Sequence, residues 1–180
     1  MTLILLTTVV VFGVLSALRV QSERWPRFLT TGLHRNLALM TLVFLALHIV
    51  TAVVDPFTNL GWGAAFIPFS SSYRTLWLGL GAISFELLLA IVATSLVRGL
   101  IGHSAWRTIH WLTYAAWPIA VVHGLGTGTD TWSVWMLAIT AGCIAAVGMA
   151  VALRLTTGSS DPLAPARDSF RAAVDRREVP

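Results

Sequence analysis

Four of the five histidines fall as two pairs on apolar stretches, His34 and His48 fourteen residues apart, and His110 and His123 thirteen apart. A neutral imidazole is a common axial ligand of heme iron, and a low-spin b-type heme takes one imidazole on each side of the porphyrin plane. Two helices carrying two such residues each would therefore clamp two stacked hemes. At about 1.5 Å of rise per residue the two ligands on one helix lie roughly 20 Å apart, which sends the irons toward opposite faces of a hydrocarbon core about 30 Å thick. The pattern is that of an electron path across a bilayer. A single histidine in a membrane helix is often only an interhelical hydrogen-bonding residue, but four at matched depths are not explained that way. His103 has no counterpart at its depth and reads as interfacial.

The composition demands a membrane setting for these residues. Of 180 residues 56% are hydrophobic and 11% charged, with eight tryptophans. The mean hydropathy is +0.78. This is too apolar for a soluble domain and fits a polytopic membrane protein. All basic residues are Arg, which explains the high pI, and their placement speaks against nucleic-acid binding. The lone Cys143 sits among small residues and reads as a packing thiol.

Hydropathy predicts an all-α bundle of about five transmembrane helices, near Leu3 to Leu18, Leu37 to Val54, Leu76 to Val97, Thr108 to His123 and Trp132 to Leu153. The first lacks a basic n-region and a cleavage site, so it is read as an uncleaved anchor. Eleven arginines (19, 24, 27, 35, 98, 107, 154, 167, 171, 176 and 177) fall on one side and only Arg74 on the other. By the positive-inside rule the N-terminus is outside the plasma membrane and the C-terminus cytoplasmic. The second and fourth spans are then parallel, pairing His34 with His110 on the cytoplasmic side and His48 with His123 on the outer side. Residues 1–155 form the di-heme domain, and 156–180 a flexible cytoplasmic tail with a short helix from Pro165 to Arg177.

Helical geometry favours one pair and resists the other. Fourteen residues at about 100° each bring His48 within about 40° of His34, whereas thirteen leave His123 about 140° from His110. Pro118 lies between the latter two, and a kink there is expected to restore the register.

The stretch from His34-Arg35-Asn36-Leu37 to Phe44-Leu45-Ala46-Leu47-His48, with Trp106-Arg107-Thr108-Ile109-His110-Trp111-Leu112-Thr113-Tyr114 and His123, resembles the ferric reductase-like transmembrane domain. NADPH oxidases, ferric and metalloreductases and the heme subunit of the bacterial methionine sulfoxide reductase system carry that domain. The resemblance spans roughly residues 1–155 and implies bis-histidine b-heme binding and transmembrane electron transfer. The chain shows five predicted spans where six are usual, and no flavin or nicotinamide domain.

Several other residues are candidates. Arg35 and Arg107 beside the inner ligands, and Arg74 as the one outer base, would neutralise heme propionates; plain topological anchoring explains the first two equally well. Glu86, in the middle of its span, is costly in hydrocarbon and is either a proton acceptor or a protonated structural acid. Phe44, Tyr114 and Trp117 lie between the heme levels, where packing is their favoured role. Residues 55–75 have the composition of an outer-interface segment, and Gly124 to Thr131 of a tight glycine-rich turn.

The sequence thus points to a transmembrane heme oxidoreductase, a reductase subunit with two heme b and no catalytic side chain of its own. His34, His48, His110 and His123 ligate iron, and the hemes carry the redox chemistry. The donor is a cytoplasmic flavin reductase, its flavin supplied by that partner, or quinol; the acceptor lies outside. The alternatives are a quinol-oxidising cytochrome b and a non-catalytic heme-binding membrane subunit.

Overall fold

The computed structural model describes residues 1–19, 26–58, 60–157 and 169. Arg24, the predicted tail helix and the C-terminal arginines lie outside the described residues. The described chain is a helical membrane bundle in the order α1 (Thr2–Ala17), α2 (Arg27–Val54), α3 (Gly63–Phe66), α4 (Thr75–Leu96), α5 (Arg98–Ile101), α6 (His103–His110), α7 (Thr113–Thr127) and α8 (Val134–Thr157).

Three of these helices, α2, α4 and α8, are long and apolar enough to cross a bilayer, which corrects the expected five. The shortfall has two causes. The α1 helix has 16 residues, below the roughly 20 that the hydrocarbon core asks for at 1.5 Å each. The expected fourth span is interrupted at Trp111–Leu112, leaving an 8-residue α6 and a 15-residue α7. Across the break, Leu112, Tyr114 and Ala115 donate their N–H to carbonyls three residues back. Each such step advances about 120° instead of 100°, in the direction that the offset between His110 and His123 requires. The register is therefore corrected partly ahead of Pro118, which sits inside the continuous α7.

The core explains how α1 and α7 are held. Leu6 and Val10 of α1, Trp117 and Val121 of α7, and Cys143 and Val147 of α8 form one buried cluster. Between apolar helices in lipid, close packing and hydrogen bonds replace the hydrophobic drive. Trp117 Nε1 donates to Thr7 Oγ1 at 3.0 Å, joining α7 to α1. Ser84 Oγ donates to the Ala116 carbonyl at 3.0 Å, joining α4 to α7. Trp117 is thus a core residue between helices. Around this core α1 packs on α2, α7 and α8, while α4 packs on α3, α6 and α7.

The connections differ from expectation in one respect. The segment read as a glycine-rich turn begins as helix, since α7 runs through Thr127 and contains Gly124 and Gly126. A Cβ at Gly126 would overlap the Trp77 indole, so glycine here is what lets α4 close on α7. On the other flank of α4, Phe66 of α3 meets the Phe85 ring edge-on, with centroids 5.6 Å apart. Gly102, at φ 78°, makes the turn into α6 in a conformation that favours glycine.

Candidate functional site

Helices α2, α6 and α7 carry the histidines toward each other, His34 and His48 on α2, His110 at the end of α6 and His123 on α7, without α2 packing closely on the other two. The His34 and His110 rings have centroids 6.2 Å apart with planes at 68°. Those of His48 and His123 are 6.3 Å apart, with planes at 79°. The order of the pairs makes the two segments parallel. Along α2, fourteen residues separate the pairs by about 21 Å.

These spacings can be set beside those of two collinear arrangements. An N–H···N hydrogen bond of about 2.9–3.0 Å between two imidazoles would bring their centroids to about 5.2 Å, adding roughly 1.15 Å per ring from nitrogen to centre. Two imidazoles trans on one metal, at about 2.0–2.1 Å per bond, have centroids about 6.3–6.5 Å apart when collinear. Both pairs fall near the second value and far from the first. No group of three or more His, Cys, Asp or Glu side chains that could hold a metal ion occurs among the described residues. The chain offers histidine pairs, and a pair of imidazoles suits a metal whose other positions are filled by a macrocycle.

One ring in each pair is fixed from behind. His34 Nδ1 lies 3.0 Å from the Val9 carbonyl of α1, and His123 Nδ1 lies 2.8 Å from the Trp77 carbonyl of α4. A carbonyl can only accept, so in both rings Nδ1 carries the hydrogen and Nε2 keeps a free lone pair. Such an outer bond sets the tautomer and ring direction of a metal-binding histidine and raises its basicity. His110 differs: its buried Nδ1 has no hydrogen-bond partner.

The inner pair sits in an aromatic setting. Trp106 lies against His110 with centroids 4.9 Å apart, and the exposed His103 lies 5.4 Å from Trp106. Trp106 Nε1 donates to Ser95 Oγ at 3.1 Å, which anchors α6 to α4. An open recess of about 420 Å³ beside this row is lined by His103, Ser104, Arg107, Thr108 and Trp111.

The arginines divide by environment. Arg35 and Arg107 are exposed near the inner pair. Arg74 donates from its NH1 to the Gly126 carbonyl at 2.5 Å, so part of its guanidinium already serves the α4–α7 junction. Arg154 is the residue that sequence reasoning missed. Its guanidinium stacks on Trp111 at 4.6 Å and lies 5.5 Å from the Tyr114 centroid. It also donates to the Tyr114 hydroxyl. It therefore joins α8 to both sides of the break between α6 and α7, next to His110. In the sequence it was one topological charge among eleven. Glu86 is exposed on α4, and Phe44 is exposed on α2.

The family profile described as ferric reductase like transmembrane component matches residues 1–121. The chain belongs to the ferric reductase-like transmembrane family. The match covers about two thirds of the chain and takes in His34, His48 and His110, ending two residues before His123. Comparison with curated proteins and with solved structures returned no match. Membership in this family makes the chain a membrane protein with an oxidoreductase-type, electron-transferring role.

Proposed function

We propose that this member of the ferric reductase-like family binds two heme b and transfers electrons across the membrane, from a cytoplasmic donor to an acceptor outside. The observation that carries the reading is the two imidazole pairs, with centroids 6.2 and 6.3 Å apart, a spacing that would leave room for one metal between the rings of each pair. His34 and His110 would hold the inner heme, and His48 and His123 the outer one, while bound heme supplies one-electron redox chemistry near each pair. Val9 and Trp77 carbonyls orient one ligand of each pair. Arg35 and Arg107 are free to meet inner propionates, and Arg74 keeps guanidinium donors beyond its bond to Gly126 for an outer one.

In this reading residues 1–155 are the electron-transfer domain and 156–180 a tail, with the arginine-bearing side facing the cytoplasm of a plasma membrane. Arg19, Arg35, Arg98 and Arg107 are exposed on that side and favour an acidic flavin reductase as donor. A second donor, quinol, is favoured by the recess at His103, Ser104, Arg107 and Trp111, which offers donors and an aromatic wall within one tryptophan of His110. The test is an absorption spectrum of the purified protein, oxidised and then reduced with dithionite, together with heme quantitation. Two low-spin b hemes per chain support the proposal, and a protein purified with none from heme-replete cells refutes it.

A further inference from the structure

The two tethers share a construction that their sequences do not announce. Val9 stands four residues before Gly13 in α1, and Trp77 four residues before Gly81 in α4. In a helix the carbonyl of residue n is bonded to the N–H of residue n+4, and its second lone pair faces outward beside the side chain of n+4. At Gly13 an added Cβ would lie 3.1 Å from Cε1 and 3.4 Å from Nδ1 of His34. At Gly81 it would lie 2.6 Å from both Cε1 and Nδ1 of His123. At Gly81 the imidazole occupies the volume that any other residue's Cβ would take, and at Gly13 it would leave a Cβ in tighter than ordinary contact. Glycine in a helix interior is destabilising relative to alanine, so its use at both places calls for a reason.

We propose that Gly13 and Gly81 are positioning residues, each opening the helix wall so that a backbone carbonyl can hold the Nδ1–H of His34 or His123 and direct its Nε2 across the pair. The part concerning iron rests on the di-heme reading; the part concerning the tether does not. The inner pair is asymmetric as a result, since among the described residues the buried Nδ1 of His110 has no partner.

The test compares Gly81→Ala, Gly13→Ala and a control, Gly142→Ala in α8, where a new Cβ meets nothing within 4 Å. In each variant the visible and electron paramagnetic resonance spectra and the midpoint potentials of both hemes are recorded, the undisturbed heme reporting that the bundle has folded. Gly81→Ala should alter one heme, Gly13→Ala the other and by less, because 3.1 Å asks for only a small shift, and Gly142→Ala neither. Histidine ¹⁵N spectra, taken with any iron in its diamagnetic ferrous state, give a second readout in the unaltered protein. They should show Nδ1–H at His34 and His123, and a change at His123 alone in Gly81→Ala. Spectra of Gly81→Ala indistinguishable from those of Gly142→Ala, or wild-type His34 and His123 protonated on Nε2, would overturn the proposal. A wild type without heme would refute the di-heme reading, while the nitrogen spectra would still decide the tether.

Discussion

Combining histidine substitutions in pairs separates the proposed ligation from every other pairing. The His34–His110 and His48–His123 sites are about 21 Å apart along α2, well beyond the 7–10 Å within which substitutions couple. Loss of one site should therefore change the free energy of heme binding at the other by at most about 0.5 kcal/mol, or roughly twofold in affinity. Within a site the two imidazoles share one iron, so the second substitution has nothing further to remove. Heme per chain, measured as the pyridine complex against protein mass, should fall from two to one in His123→Ala and stay at one in His48→Ala/His123→Ala. It should fall to none in His34→Ala/His48→Ala. If His34→Ala/His123→Ala is instead the double variant that keeps one heme, the helices are paired in the opposite sense and the reasoning from the ring spacings fails.

Trp117→Phe, which removes the bond to Thr7 Oγ1 while keeping an aromatic ring in the core, should destabilise the bundle by about 0.6–1.7 kcal/mol in denaturant titrations. Thr7→Val should add little to it, and full additivity would argue against that bond. With Cys143 replaced by Ala, a cysteine at Thr129 should react with an impermeant thiol reagent in intact cells and one at Ser104 should not; the reverse pattern would invert the proposed direction of electron flow. NADH alone should leave the purified protein oxidised, and adding a flavin reductase should reduce it at a rate that falls with salt. Salt-independent reduction by quinol would move the assignment to the recess beside Arg107.

The two histidine pairs were legible because their signal is periodic. Fourteen residues are close to four helical turns, and that spacing alone brings His34 and His48 to one side of α2. The remaining features depend on tertiary contacts. Trp111–Leu112 carries no breaker, yet the helix is interrupted there, where Arg154 from α8 grips Trp111 and Tyr114 on either side. Pro118 drew attention as the strongest local irregularity, but α7 continues through it. Hydropathy counts apolar residues without seeing such a break, and α1 is apolar throughout yet too short, so five candidates became three helices of spanning length. Gly124 and Gly126 looked like a turn because glycine commonly marks one; their surroundings show that Gly126 instead makes room for Trp77. Gly13 and Gly81 were invisible for the same reason, since only the neighbouring imidazole reveals what their missing Cβ permits.

Electron transfer through sealed vesicles tests the central claim most directly. The purified protein, reconstituted with ferricyanide trapped inside, is supplied with an impermeant reductant outside, and the loss of internal ferricyanide is followed by its absorbance. The account predicts loss that depends on the protein and is abolished by His48→Ala, with the vesicles still sealed. Ferricyanide that stays oxidised in vesicles whose protein carries two spectrally normal hemes would contradict it, and would leave the hemes a structural or sensory part instead.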